Sequence, residues 1–322
     1  MKKWFVNTYF ILFLLLLFSA MDVFVGSISL FENTYSVNTI LLEIRVPKTL
    51  TAVASGGILA LCGLVLQIIF RNPLAGPYIL GISSAASLFT AIGMMSIGVF
   101  YSEFWSQFQT TTLSVIGAFV GLLIILLVLK ITEQITVILL VGLLLSQLYS
   151  AILGILSYLS TEQSLKLYTL WTMGSIQNTT LYQALFLVIV SGLALLIMLR
   201  YIKFFMSYLV GDELPQLMGM KSSKLKKQLL VIVAVLVGIV TAYCGPIAFV
   251  GMSIPILVRV LQSDANIKKW IVHSFLYGSL SLILTDVINQ ISFNGSVPLN
   301  ILISIWGVPL MIWVFIKYLR VV

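Results

Sequence analysis

The chain has 322 residues, 9% of them charged and 60% apolar, against roughly 25% and 45–50% in soluble domains. One soluble core clothed in polar surface is excluded, and two cysteines with one histidine supply neither a disulfide framework nor the ligand set of a membrane metalloenzyme. The pI near 9.4 comes from lysines and arginines gathered on one side of a membrane and carries no sign of nucleic-acid binding.

Charge-free stretches recur at 4–21, 49–70, 72–102, 104–129, 134–161, 167–199, 228–258, 270–285 and 287–316. About 20 apolar residues cross a ~30 Å hydrocarbon core as a helix. No alternation of apolar and polar residues runs through them, so helices are expected and a barrel is not. Fifteen of the 18 basic residues but only four of the ten acidic ones fall on one face. The positive-inside rule makes that face cytoplasmic and, with about ten spans, places both chain ends inside. The expected class is an all-α polytopic membrane protein forming one transmembrane domain over 1–322.

Span 1 covers about 9–29; Phe18-Ser19-Ala20-Met21 is a poor cleavage site, so the segment is expected to be kept as a helix and not removed as a signal peptide. A polar outer loop from Glu32 to Glu43 follows. Span 2 starts at Arg45-Val46-Pro47-Lys48, with Pro47 in a first turn, and runs to about Phe70. The turn Arg71-Asn72-Pro73-Leu74-Ala75-Gly76-Pro77 returns the chain. Spans 3 to 5 occupy about 78–100, 110–130 and 134–158, a short outer interfacial helix 162–178, and span 6 about 181–203. The 31 uncharged residues of 228–258 would make one helix of about 46 Å. Both flanks are basic, so the stretch is expected to go out and return. Gly245-Pro246 marks the turn, and a short Pro255-broken span or re-entrant piece reaches Arg259. Spans 9 and 10 lie at about 270–290 and 297–318.

The hydrophilic stretch 203–227 holds Gly211-Asp212-Glu213 and Gly219. On composition it is either a positive-inside anchor or a docking loop. A phosphate-binding loop is excluded, because Leu214 and Met220 stand where glycine and lysine would be required. Any ATP chemistry must therefore come from a partner. Arg45 and Lys48 violate the charge bias, either by snorkelling at the interface or by meeting an outside partner. Gly142, Ser146, Ser150 and Gly154 form one four-residue stripe in span 5, suited to helix packing or to a smooth pathway wall. Gly117 and Gly121 read as packing, Cys62 and Cys244 as small buried residues, and the lone His273 forms no metal site. Asp286 reads as a structural hydrogen-bonding group, since an ion-coupled carrier or channel, the rival reading, would place ionisable residues at mid-membrane.

Several segments resemble, in order, the permease family that imports iron-siderophores, haem and cobalamin. They are Arg45 to Leu50, Arg71 to Ala75, Gly81 to Ala85, Trp171 to Ser175, Gly211 to Gly219, and GPIAFVGMSIPILVR from Gly245 to Arg259, together with Asp286. Ile256, Pro215, Ala248 and Gln290 depart from the usual His, Ala, Gly and Arg. The resemblance implies the architecture of a type II ABC importer permease, working as a homodimer in membrane lipid without a cofactor. It implies two ATP-binding subunits coupled through Gly211, Asp212, Glu213 and Gly219. It implies a periplasmic or lipid-anchored binding protein docked through Arg45 and Lys48, and a pathway bordered by Gly142, Ser146, Ser150 and Gly154.

Overall fold

The computed structural model describes residues 7–26, 37–97, 103–132, 134–177, 179–211, 213–262 and 266–319. All regular structure among them is helical: α1 (Thr8–Phe24), α2 (Val46–Ile69), α3 (Ile82–Ile92), α4 (Glu103–Ile131), α5 (Ile135–Leu159), α6 (Glu162–Thr172), α7 (Leu181–Arg200), α8 (Ile202–Val210), α9 (Leu214–Leu217), α10 (Ser222–Cys244), α11 (Val250–Leu261), α12 (Ile267–Phe293) and α13 (Leu299–Leu319). Six helices are long and apolar enough to cross a membrane: Ile40–Ile69, Phe108–Ile131, Thr136–Leu159, Leu181–Arg200, Ser222–Cys244 and Ile267–Phe293. Four shorter apolar helices accompany them, Thr8–Phe24, Ile82–Met95, Val250–Leu261 and Leu299–Val314. The polytopic helical class stands, and a count of ten spans requires all four shorter helices to cross as well.

The chain divides into two compact units. Unit 1 comprises Met1–Leu64, Ser175–Lys203 and Ala248–Val322, and unit 2 comprises Val65–Gly174 and Phe204–Ile247. In unit 1, α12 packs against α1, α7, α11 and α13. The α2 helix meets the same group through glycines: a Cβ on Gly56 would overlap the Gly278 carbonyl, and one on Gly63 the Gly251 carbonyl. Lipid removes the hydrophobic drive between helices, so such close approach supplies much of the packing attraction. Ser279 Oγ donates to the Val53 carbonyl at 2.6 Å across the same contact. In unit 2, α3 lies among α4, α5 and α10. Gly117 and Gly121 sit against Ala85, as the packing reading expects, and Ser114 Oγ bonds the Gly238 carbonyl at 2.8 Å.

Two prolines behave differently from expectation. Pro47 is not in a first turn, because helical residues Val37–Thr39 and a π-helical turn Ile40–Arg45 run directly into α2. Val46 N–H bonds back to the Leu41 carbonyl, a five-residue step that widens the helix ahead of the ring. The expected loop ending at Glu43 is therefore helical from Val37, while Glu32 lies outside the described residues. Pro255 does not break α11, which continues from Val250 to Leu261. Proline leaves the carbonyl four residues earlier without its helical donor; that carbonyl belongs to Gly251 and lies against Gly63. With 12 residues, α11 extends about 18 Å and is as short as the piece expected to reach Arg259, which lies in its last turn.

Candidate functional site

The 203–227 segment folds as nearly all of α8, the single turn α9 and the start of α10. Gly211 N–H closes α8 on the Ser207 carbonyl at 3.2 Å. Glu213 is exposed at the N-cap of α9, and Pro215 occupies the first turn of α9, where a missing N–H costs nothing. The departure from alanine at 215 is thereby accommodated. Gly219 takes φ 74° and ends α9, a conformation that glycine adopts without the Cβ penalty of other residues. Gly211 needs no such conformation, so only one of the two expected turn glycines sets a turn by positive φ. Asp212 lies outside the described residues. Around α9 large apolar side chains stand exposed beside Glu213 and Gln216: Val210 and Leu217 are each 79% exposed and Met218 55%.

Sequence spacing gave no hint of what anchors this platform. Tyr208 of α8 donates its hydroxyl to the Ile69 carbonyl at the end of α2 (3.1 Å). Arg71, in the turn that follows, donates to the Tyr208 carbonyl at 2.5 Å. The Arg71 guanidinium lies 4.7 Å from the Tyr208 ring centroid, and the Lys226 ammonium 4.4 Å. These cation–π contacts tie the Arg71-to-Pro77 turn to α8 and to the first turns of α10. The end of α2 cannot shift relative to α8 without breaking them.

The small-residue stripe of α5 splits into two halves. A Cβ on Gly142 would strike the Ile79–Leu80 backbone, and Ser146 Oγ accepts from Ser84 Oγ at 3.2 Å. These two residues pack α5 against the start of α3. Ser150 is exposed and bonds only within its own helix, to the Ser146 carbonyl, and Gly154 has open space around it. With Gln147 they give α5 an open face containing polar groups. The exposed large side chains of α7 are instead Tyr182, Leu185, Phe186, Ile189, Leu193 and Leu196. Beyond α5, the expected outer helix ends at Thr172. Its buried residue Tyr168 has a phenol pushed up by desolvation to about 12. Trp171 Nε1 reaches the Ala242 carbonyl at 3.3 Å, and a Cβ on Gly245 would strike the Trp171 carbonyl, so two of the sequence signatures meet.

Arg45 and Lys48 are not available at a surface. They are 4% and 3% exposed. Lys48 Nζ lies 3.2 Å from Asp22 and 2.5 Å from Asp286, and Thr49 donates to the other Asp22 oxygen at 2.5 Å. Arg45 Nη1 donates to the Val23 and Phe24 carbonyls at 3.0 and 2.8 Å, covering the open C-terminal end of α1. Their charged ends are committed inside the chain, joining α1, α2 and α12, where the docking role expected of the pair would have them reach outward. Asp286, expected as a structural hydrogen-bonding group, enters the cluster through its ion pair with Lys48. Asp22 was missed as its fellow, although an acidic residue in the last turn of an otherwise apolar span was a usable signal.

Phe249 was also missed. It has φ 63° and ψ −42° at the centre of a γ-turn closed by Val250 N–H on the Ala248 carbonyl at 2.8 Å. A bulky residue there costs about 1–3 kcal/mol. The cost is offset by three donors on its carbonyl, Met252 N–H (3.0 Å), Ser253 N–H (2.8 Å) and Ser253 Oγ (2.9 Å). Its side chain lies over Gly307, where a Cβ would come within 3.1 Å. His273 is buried between Thr8 and Gln262, and among the described residues no three His, Cys, Asp or Glu side chains are grouped to hold a metal.

A family model described as the FecCD transport family matches residues 8–317. The hemin transport system permease protein HmuU of Yersinia pestis is 30% identical, over 96% of this chain and 94% of that protein. The vitamin B12 import system permease protein BtuC of Vibrio cholerae is 27% identical, over 85% of this chain and 82% of its own. A solved metal-chelate type ABC transporter in an inward-facing conformation superposes with a TM-score of 0.84 at 26% identity, covering 96% of this chain and 98% of its own.

Proposed function

Because the chain belongs to the FecCD transport family over nearly all its length, we propose that it forms the translocation pathway for an iron-siderophore complex, with haem or cobalamin as the related cargoes. It is a permease subunit of an ABC importer, a multi-pass protein of the bacterial inner membrane, and the ATP hydrolysis belongs to a partner subunit. The observation that carries the coupling reading is the exposed apolar turn around α9, beside Glu213, on a platform fastened to the end of α2 through Tyr208 and Arg71.

Two ATP-binding subunits engage Gly211, Asp212, Glu213 and Gly219 with the apolar side chains Leu217 and Met218 between them. When ATP draws those subunits together, α9 and α8 are displaced. The Tyr208 hydroxyl and the Arg71 guanidinium carry that displacement to α2, and a rigid-body switch opens one side of the pathway while closing the other. The open face of α5, with Gln147, Ser150 and Gly154, faces a second permease copy across the pathway. Hydrocarbon would leave the Gln147 amide unsatisfied at a cost of kilocalories per mole. A substrate-binding protein delivers cargo on the opposite face, with contacts made by residues other than the buried Arg45 and Lys48.

Vesicles holding the permease, its ATPase and its binding protein test the cargo directly. Labelled ferric siderophore is expected to accumulate only with ATP, while haem and cobalamin accumulate less. ATP-dependent uptake of haem or cobalamin alone would reassign the cargo, and no uptake of any of the three would overturn the reading.

A further inference from the structure

The α10 helix leaves the basic end of unit 2 with Lys221, Lys224 and Lys227 exposed and Lys226 turned onto the Tyr208 ring. No described carboxylate pairs with the three exposed lysines; Glu213 is described and apart from them, while Asp212 and Glu133 lie outside the described residues. Steps of three residues keep the three along one side of the helix, and one turn further that side continues in exposed Val231. The lysine-bearing face therefore runs into a narrow, partly exposed apolar strip, Val231 followed one and two turns on by the half-buried Val235 and Ile239.

Depth agrees with charge. Residues 229–244 are uncharged, so the hydrocarbon boundary falls near Leu229. At 1.5 Å per residue, the Cα atoms of Lys227, Lys224 and Lys221 stand about 3, 8 and 12 Å beyond it. The headgroup zone is roughly 5–8 Å deep on each side, and flexible lysine stems bring all three ammonium groups to the phosphate level. Lys130, exposed at the end of α4, adds charge on the same side, because α4 packs antiparallel to α10 through Ser114 and Gly238.

We propose that the face of α10 carrying Lys221, Lys224 and Lys227 binds the headgroup of an anionic phospholipid, with the acyl chains lying along Val231. The apolar turn around α9 is left for the partner ATPase, and the two surfaces serve different ligands.

The test uses the full chain with Val231→Cys labelled by a fluorophore; Cys62 and Cys244 are buried and stay unlabelled. Quenching is compared for brominated phosphatidylglycerol and brominated phosphatidylcholine in vesicles. Half-quenching is expected at a roughly fivefold lower mole fraction of the anionic lipid, the effect of about one lysine at a charged membrane surface. The preference should weaken in high salt and vanish in a Lys221→Gln, Lys224→Gln, Lys227→Gln variant. A label at Leu193→Cys, on the exposed face of α7, should show none. Equal quenching at 231 by both lipids, or a preference that survives the triple substitution, would overturn the proposal. So would a preference that disappears when the ATPase subunit is added, since the lysines would then belong to that protein.

Discussion

Replacing Lys48 with methionine keeps the length of the side chain and removes its charge, leaving the Asp22 and Asp286 carboxylates facing each other without a cation. Both acids are fully buried, at 0% and 1% exposure, and the Lys48 ammonium lies within 3.2 Å of each. Removing one partner of a buried ion pair costs about 3–5 kcal/mol, chiefly because the remaining charge is stranded away from water. Lys48→Met is therefore expected to unfold at a temperature several degrees lower, measured by heating the purified protein and following the monodisperse fraction. Adding Asp286→Asn to Lys48→Met should recover part of the loss, giving a coupling above about 1 kcal/mol between residues 238 positions apart in sequence. The contrary result is specific. If Lys48→Met melts with the wild type but loses only its response to the binding protein, Lys48 is an exposed docking residue and the buried cluster is wrong.

Other expectations follow from the same contacts. Leu217→Asp with Met218→Asp should leave folding intact and abolish ATP-driven uptake, because both side chains are exposed and charge would spoil an apolar partner contact. Tyr208→Phe removes one buried hydrogen bond, worth about 1 kcal/mol, while Tyr208→Ala also removes the ring between Arg71 and Lys226 and should uncouple ATP turnover from uptake; unchanged transport per ATP in the alanine variant would refute the clamp. Gly63→Ala puts a methyl on the Gly251 carbonyl and should cut the yield of folded protein severely, whereas Gly154→Ala, with open space around it, should not. A Ser150→Cys variant should form an oxidised dimer in membranes if α5 faces its own copy, and a persistent monomer would argue against that.

Helices and their order were legible because charge and length report directly on the bilayer. Gly245-Pro246 could be found as a turn because 228–258 is too long for one crossing between two basic flanks. Depth within a face was not legible: the charge bias assigns Arg45 and Lys48 to a side but says nothing of burial, and their partners lie on helices far apart in sequence. The same limit hid the Tyr208–Arg71 contact, whose residues are 137 positions apart. Pro47 was misplaced for a local reason, since a π-helical turn absorbs a proline that an ordinary α-helix interior would reject. The α5 stripe was visible as a stripe, but only the backbone of Ile79 and Leu80 shows which half is packed.

Transport by reconstituted vesicles with and without the ATPase subunit tests the central claim most directly. Uptake should require both the ATPase and internal Mg-ATP when the ATPase faces the lumen, and it should be indifferent to proton or sodium gradients. Uptake that proceeds without the ATPase, driven by an imposed ion gradient, would contradict the assignment of this chain as the permease of an ATP-driven importer.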